Sequence, residues 1–311
     1  MYTKTSYGLI ALALVVLTLN FFSGSLGEGE SGDSDSRTVL ATTTIIWDMA
    51  RRVAGDLWVV EYLIEPGRDP HTFEPTPQDV IKSHRARLIL YNGHAIDQWV
   101  IKLLRAGSKA TFVRVTERLD DRIVLVPDGP YIGKPDPHMW MDVRLAIGYV
   151  ERIRDAFIEI DPVNNLTYQE NARKYIAQLL ELDAWIREKV SVLPEEKKLL
   201  LTQENAFQYF ARAYDFRVVG YFYSIVTEIE PSASDIVRVL SKVRESGLCV
   251  FFIETTLSPR VMEALAREVD GRIAGRLFTD SIPPLDTGLD GYIGMMRHNV
   301  ETIVGGLREG C

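Results

Sequence analysis

Two histidines lie in nearly identical sequence contexts. The tripeptide Asp-Pro-His ends at His71 and again at His138, and each copy follows a loop-like stretch. Because proline fixes its own backbone and restricts the residue before it, a Pro-His pair can hold an imidazole rigidly in a loop. A single histidine after a proline is more often an ordinary surface or core group. The repetition favours the other interpretation, that both imidazoles are metal ligands.

Two acidic residues follow predicted strands. Glu204 comes directly after KLLLTQ, and Asp280 comes after RIAGRLFT. Each carboxylate is therefore expected at the carboxyl end of a strand, which is the edge where α/β sheets bind ligands. Taken alone, either acid would more often be a helix cap or a first-turn residue. The case for these two acids as ligands rests on the resemblance described below.

The sequence around these four residues alternates short β-branched or aromatic runs with amphipathic stretches, a pattern typical of α/β folds. In the first half the predicted strands are VLATTTI, LWVVEYLI and RLILYN, with helices ending near Gly55 and spanning about 77–84. In the second half the strands are KLLLTQ, FRVVGYF, LCVFFIE and RIAGRLF, with helices over 205–213, 232–246 and 259–268. Ser232 and Asp235 have capping-box spacing for the helix over 232–246.

One long helix is predicted between the two halves. After Pro162 the apolar residues recur at helical spacing; they are Ala172, Tyr175, Ile176, Leu179, Leu182, Ile186 and Val190. Such a helix would be roughly 43 Å long, more than the width of a small lobe. A helical hairpin broken near Asp183 is the alternative, but residues 163–193 contain neither glycine nor proline. The helix is expected to join two lobes as a stiff rod.

Length and charge limit the possible functions. With 311 residues, 46% of them hydrophobic, the chain exceeds the usual size of one domain, so two lobes are expected. Its formal net charge of −8 provides no basic stripe for a phosphate backbone. Nucleic acid is not an expected partner.

The expected organisation is a signal or anchor with an acidic tether over 1–37, an α/β lobe over 38–161, a linking helix over 162–192 and a second α/β lobe over 193–311.

The N-terminal region has the layout of a secretory signal. Residues 8–22 form an uninterrupted apolar run behind Lys4, so export is expected. The run is short for a membrane span of about 20 residues, and both cleavage and retention as an anchor stay open. Residues 23–37 are small and acidic and are interpreted as a flexible tether.

The two cysteines bear on anchoring and on disulfide formation. An N-terminal lipid anchor needs a cysteine just after the apolar run, whereas Cys249 and Cys311 lie far from it, so no such anchor is expected. Cys249 lies within a predicted strand and Cys311 is the last residue. The sequence gives no geometric reason to pair them, and Cys249 is interpreted as a plain core residue.

Several segments together form a recognisable pattern: EPGRDPHTFEPTPQD, YNGHAIDQW, DPHMWMDV, TQENAFQYFARAYDF, and LFTDSI followed by GYIGMMRHNVETI. From about Val39 to the C-terminus they resemble the zinc- and manganese-type solute-binding proteins of ABC transporters, the TroA/ZnuA-like family. The resemblance implies two α/β lobes joined by a long helix, with a metal site in the cleft between them. It also implies delivery of the ion to a membrane permease by a monomeric receptor.

The resemblance implies a ligand set for one divalent ion. The family's two histidine positions carry over to His71 and His138, and its third and fourth positions to Glu204 and Asp280. The zinc-scavenging branch usually has histidine at the third position and a His-rich loop before the second histidine; here the third is Glu204, and residues 127–137 contain no histidine. Two imidazoles and two carboxylates favour manganese or ferrous iron, although zinc binds tightly to such sites as well.

The other three histidines lie outside this expected ligand set. His84, His94 and His298 are assigned structural or surface roles, although His94 is a conceivable further ligand.

A metal-dependent hydrolase would need an open water position and a spare base, and the sequence contains no HExxH, GxSxG or GxxxxGK[ST] motif. A surface adhesin with a metal site is the other alternative. Neither enzymatic activity nor an organic cofactor is expected.

Overall fold

The computed structural model describes residues 37–129, 131–225, 227 and 230–311. Its strands are β1 Thr38–Ala41, β2 Val59–Tyr62, β3 Leu88–Tyr91, β4 Thr111–Arg114, β5 Leu199–Glu204, β6 Arg217–Tyr223, β7 Val250–Glu254 and β8 Arg272–Leu277. Its helices are α1 Thr44–Ala54, α2 Pro77–Arg85, α3 His94–Leu104, α4 Val143–Ile160, α5 Asn165–Val190, α6 Gln208–Tyr214, α7 Ala233–Ser246, α8 Arg260–Glu268 and α9 Gly291–Glu309. The signal or anchor segment and most of the acidic tether expected over 1–37 lie outside these residues.

The first half of the chain forms a parallel sheet with the strand order β2-β1-β3-β4. Its central strands are buried; Leu88, Ile89 and Leu90 of β3, for example, are fully inaccessible. Such continuous apolar runs are typical of parallel strands that are covered on both faces. All the strand ends that carry the following loops therefore lie at one edge of the sheet.

The second half contains two further parallel pairs, β5 with β6 and β7 with β8. Strands β5 and β7 lie side by side but belong to different ladders. Side chains connect them instead: Gln203 Oε1 accepts a hydrogen bond from the Glu254 N–H (2.7 Å), and Glu254 Oε1 accepts one from the Gln203 N–H (2.6 Å). The α/β architecture expected from the sequence is confirmed in both halves.

Helix α5 is a single helix of 26 residues, as the apolar spacing predicts. The same face that the sequence marks as apolar is buried, including Leu179, Leu182 and Ile186. The helix contacts α1 and α4 as well as α6 and α9. One cluster of buried hydrophobic residues includes Leu90 of β3 and Phe252 of β7 together with the buried face of α5. The long helix therefore has core contacts in both halves of the chain.

Most of the predicted helices and strands agree with the structure, and capping explains where two helices begin. Thr76 caps α2 and Ser232 caps α7, each in a capping box with the aspartate three residues later. The helix expected over 205–213 begins only at Gln208, because the residues after Glu204 form a loop. Within the described residues, no helix is both long enough and apolar enough to span a membrane.

The interpretation of Cys249 as a plain core residue is wrong. Cys249 and Cys311 form a disulfide with their Cα atoms 5.6 Å apart. Helix α9 returns to the start of β7, and the Arg272 guanidinium donates hydrogen bonds to the carbonyl groups of Gly306 (2.8 Å) and Gly310 (2.6 Å). The two cysteines are 62 residues apart in sequence, so only the packing of α9 reveals that they are neighbours.

Candidate metal centre

The four residues predicted as ligands lie together. His71, His138, Glu204 and Asp280 each offer one ligand atom, and these atoms all lie within 4.8 Å of one another. All four side chains are buried, with residue exposures of 2% or less. Nε2 of His71 lies 3.1 Å from Oε1 of Glu204, and Nε2 of His138 lies 3.2 Å from the same atom and 3.4 Å from Oδ1 of Asp280.

His138 is oriented by the aspartate of its own Asp-Pro-His tripeptide. Asp136 Oδ1 lies 2.8 Å from His138 Nδ1 and accepts a hydrogen bond from the His138 backbone N–H at 2.9 Å. A hydrogen bond from Nδ1 to this carboxylate fixes the tautomer and leaves the Nε2 lone pair available to a cation. The ring edge also contacts Trp140, with the ring centroids 5.3 Å apart.

The first Asp-Pro-His tripeptide repeats only part of this arrangement. Asp69 Oδ1 accepts a hydrogen bond from the His71 backbone N–H (2.8 Å), and its other oxygen accepts one from the Thr227 hydroxyl (2.5 Å). The aspartate thus shapes the loop but not the ring. Both ring nitrogens of His71 are buried and, among the described residues, have no hydrogen-bond partner.

Glu204 projects from the last position of β5, as predicted from the sequence. Its backbone is held on both sides, because its N–H donates to Glu254 Oε1 (2.9 Å) and its carbonyl accepts from the Thr202 hydroxyl (2.6 Å). Its carboxylate, in contrast, has no hydrogen-bond donor within the described part of the chain. Both carboxylate oxygens are thus available to a cation.

Asp280 lies in the loop after β8, which is fastened to several other elements. The Trp140 indole N–H donates to the Thr279 carbonyl (2.9 Å), and Asn299 of α9 exchanges two hydrogen bonds with the backbone of Phe278. On the other side of Asp280, the Ile282 N–H donates to the hydroxyl of Thr44 (3.1 Å). The loop therefore depends on residues from both halves of the chain.

The charges of the four groups strongly influence one another. Burial lowers the pKa of His71, but the negative charges of Glu204 and Asp280 outweigh this effect and hold it above its ordinary value. The same opposition, with Glu204 and Asp136 as the main attractions, holds the pKa of His138 well above its ordinary value. Burial would raise the pKa of Glu204, but the two imidazoles lower it to about 2. Burial and the charge of Glu204 raise the pKa of Asp280.

The unpaired atoms of this cluster fit a metal ion. In the described residues the following buried atoms have no hydrogen-bond partner: His71 Nδ1 and Nε2, His138 Nε2, both Glu204 carboxylate oxygens, and Asp280 Oδ1. Buried polar atoms are rarely left unpaired because the loss of hydration is costly. Two nitrogens and up to four carboxylate oxygens form a set that suits divalent transition metals.

The other three histidines lie outside this cluster. Nε2 of His84 lies 3.1 Å from the Ala106 carbonyl, and Nε2 of His298 lies 2.9 Å from the Arg276 carbonyl. His94 is the first residue of α3, with a positive φ of 56°, and its Nε2 lies 3.9 Å from Asp120. Their contacts agree with the structural roles expected for them.

Sequence reasoning missed two buried acids beside the ligands. Asp136 belongs to the repeated Asp-Pro-His tripeptide, and the repetition of the aspartate is the sequence signal that points to it. Glu254 ends the strand LCVFFIE, the same signal that identified Glu204, and burial raises its pKa well above the ordinary value. An acidic residue at the carboxyl end of a predicted strand is the sequence signal that points to Glu254.

Sequence comparisons agree with this geometry. Residues 39–306 match the family described as "Zinc-uptake complex component A periplasmic". The manganese-binding lipoprotein MntA of Halalkalibacterium halodurans is 31% identical over 303 residues, which cover 96% of this chain and 99% of that protein. The iron-binding protein YfeA of Yersinia pestis is 34% identical over 288 residues, or 92% of each chain.

Solved structures share the fold. The periplasmic zinc-binding protein TroA of Treponema pallidum has a TM-score of 0.81 and 31% identity, covering 88% of this chain and 99% of its own. A manganese-bound periplasmic metal-binding protein of Candidatus Liberibacter asiaticus has a TM-score of 0.78 and 28% identity, covering 87% and 99%.

The fold and the buried His-Glu-Asp cluster define a metal-binding solute-binding protein with two α/β lobes. The chain belongs to the zinc-uptake component A family, and the resemblance seen in the sequence is confirmed.

Proposed function

We propose that this chain is an extracytoplasmic receptor that captures one divalent transition-metal ion with His71, His138, Glu204 and Asp280 and delivers it to an ABC permease. One observation carries the proposal: four buried ligand atoms lie within 4.8 Å of one another. They come from four separate loops and strand ends, so the fold itself creates the site. The proposed lobes are 38–161 and 193–311, joined by 162–192.

The donor set favours manganese or ferrous iron over zinc as the transported ion. Two imidazoles and two carboxylates provide oxygen donors that can bind in bidentate fashion and raise the coordination number above four. Divalent affinity still rises toward zinc along the usual series, so tight zinc binding in vitro is expected as well. Relatives whose names specify manganese and iron support the choice.

The geometry of the site favours metal binding over catalysis. A metallohydrolase keeps one coordination position for an activated water and a base beside it. In this site four protein groups converge on one point, which leaves little room for such a water. We therefore propose that the chain is a receptor and not an enzyme.

Several features support a location outside the cytoplasm. The apolar run over residues 8–22 behind Lys4 has the layout of an export signal. The disulfide between Cys249 and Cys311 is typical of an oxidising compartment. We propose an exported monomer in the periplasm or on the outer face of the membrane, with the apolar run either cleaved or retained as an anchor.

Titration calorimetry with Mn²⁺ and Zn²⁺ tests the proposal. We expect one tightly bound ion per chain, with binding lost in the double variant His71→Ala/His138→Ala. His84→Ala is the matched control, because this imidazole lies outside the cluster and should not affect affinity. Absence of binding to the wild type, two equal sites, or unchanged affinity in the double variant would refute the proposed ligand set.

A further inference from the structure

We infer that Glu254 is a positioning residue that holds the backbone of Glu204 in the geometry needed for metal binding. The inference rests on the proposed function, since it concerns one of the proposed ligands. Glu254 is the last residue of β7 and is 1% exposed. It is not among the four residues of the cluster, so its action on the ion would be indirect.

The contact between the two glutamates is made through the main chain of Glu204. One oxygen of Glu254, Oε1, accepts hydrogen bonds from the N–H groups of Gln203 (2.6 Å) and Glu204 (2.9 Å). Consecutive N–H groups of a regular strand point to opposite sides, because the strand repeats every two residues. Their convergence on one oxygen therefore marks a local change in backbone direction where the metal ligand projects.

A second set of contacts fixes Glu254 in turn. The side chain of Gln203 accepts a hydrogen bond from the Glu254 N–H (2.7 Å) and donates one to the Ser258 carbonyl (2.7 Å). Residues 203 and 254 thus bind each other's backbone reciprocally. This exchange takes the place of a backbone ladder between β5 and β7, and it fixes the two strand ends relative to each other.

The backbone that Glu254 holds helps to direct the Glu204 carboxylate toward the proposed ion. Outside the cluster, the Glu204 carboxylate has no hydrogen-bond donor in the described residues. Apart from its attraction to the His71 and His138 imidazoles, its direction is therefore set by its backbone and packing. Loss of the Glu254 acceptor would leave two buried N–H groups unpaired and let the end of β5 relax toward the regular strand geometry. The Glu204 oxygens would then lie in a less suitable position relative to His71 and His138.

A series of substitutions at position 254 tests the role of the acceptor. Glu254→Gln keeps an oxygen at Oε1, Glu254→Asp withdraws it by one methylene, and Glu254→Leu removes it. We expect Glu254→Gln to bind Mn²⁺ like the wild type, and Glu254→Leu to bind it about tenfold to a hundredfold more weakly, with Glu254→Asp in between. The electron paramagnetic resonance spectrum of bound Mn²⁺ should change in the last two, because the ligand geometry changes.

Val243→Ala is the matched control. Val243 is buried in the same half of the chain, so its truncation lowers stability without touching the site. It should leave Mn²⁺ affinity and the spectrum unchanged. Wild-type affinity and spectrum in Glu254→Leu, or a tenfold loss in Glu254→Gln, would overturn the inference. If Glu254→Leu does not fold, the comparison between Gln and Asp decides in the same way. Failure of the wild type to bind Mn²⁺ would instead overturn the proposed function.

Discussion

Nε2 of His138 lies 3.2 Å from Oε1 of Glu204, and these two residues come from different halves of the chain. A cation between them would join the loop before α4 to the end of β5. An ion that binds only the folded protein stabilises it by about 2.7 kcal/mol at one hundred times its dissociation constant. Metal binding and thermal stability should therefore change together.

The first prediction concerns pH. In the metal-free protein the pKa values of His71 and His138 lie above their ordinary value of about 6.5, because Glu204 attracts a proton to each imidazole. This protonation stabilises the metal-free fold below that pH, and the stabilisation is lost as pH rises through the raised pKa values. The ion, in contrast, needs deprotonated ring nitrogens. Protons and metal therefore compete, and acid favours the metal-free form.

Thermal unfolding with and without Mn²⁺ between pH 5 and 8 measures this competition. We expect the increase in Tm caused by the metal to be largest at the alkaline end and to disappear toward pH 5. Calorimetry near pH 7 in buffers of different ionisation enthalpy should detect proton release on binding. A metal-induced increase in Tm that grows in acid would contradict the assignment of the imidazoles as ligands.

The second prediction concerns the disulfide. Cys249 and Cys311 close a loop with a sequence separation of 62 residues, and the chain-entropy model assigns such a loop about 4 kcal/mol. Cys311→Ser should lower the free energy of unfolding by about 2–4 kcal/mol. Because the bond lies away from the four ligands, Mn²⁺ affinity should not change. Denaturant unfolding of the variant and of the reduced wild type should give the same loss; equal stability of all three would contradict the prediction.

The third prediction concerns the start of α9. Gly291 has a positive φ of 57°, and a Cβ atom there would lie 2.3 Å from Oδ1 of the buried Asp48. That carboxylate accepts hydrogen bonds from the Tyr292 N–H (3.0 Å) and the Tyr175 hydroxyl (3.2 Å), so it links α1, α5 and α9. Gly291→Ala should destabilise the fold by about 2 kcal/mol or more, from backbone strain and disturbed hydrogen bonds.

Gly288→Ala separates these two causes. Gly288 also has a positive φ, of 73°, but a Cβ atom there would have no neighbour within 4 Å. It should therefore cost only the backbone strain, about 1 kcal/mol. Chemical denaturation of both variants measures the difference. Equal losses would show that the contact with Asp48 does not contribute.

The sequence predicted the ligand cluster better than its surroundings. His71 and His138 have a local signal in the repeated Pro-His pair, whereas Glu204 and Asp280 follow apolar runs and are assigned as ligands through the family resemblance. The four residues lie together. The position of the two acids at strand ends is informative because α/β sheets bind ligands at the carboxyl ends of their strands. Helix α5 was predictable for a similar reason, since its apolar face repeats at helical spacing.

The features that were missed depend on long-range packing. The disulfide requires α9 to end beside β7, and no local pattern gives that position. Glu254 has a strand-end signal, but its role depends on the side-by-side position of β5 and β7. Helix α9 itself contains Gly294, Gly305 and Gly306, which lower helix propensity, and tertiary packing overrides that preference.

The last prediction concerns the choice of ion. Glu204, one of the proposed ligands, offers a hard carboxylate whose two oxygens have no hydrogen-bond partner in the described part of the chain. Glu204→His replaces them with a third nitrogen beside His71 and His138. Zinc accepts a closed tetrahedral shell of nitrogen and oxygen donors, whereas manganese gains more from additional carboxylate oxygens. The substitution should therefore raise the ratio of zinc affinity to manganese affinity, by about tenfold or more if one ligand exchange changes the difference by about 1.4 kcal/mol.

Competition titrations of wild type and Glu204→His at fixed pH measure this ratio. Asp280→Ala serves as the control, because it removes a ligand without adding nitrogen and should weaken both ions, leaving the ratio closer to that of the wild type. Circular dichroism must first show that the variants fold, since Glu204 is fully buried. An unchanged ratio in folded Glu204→His would mean that Glu204 does not contact the ion. In that case its short distances to both imidazoles would reflect only charge attraction in the metal-free protein, and the donor set would no longer favour manganese.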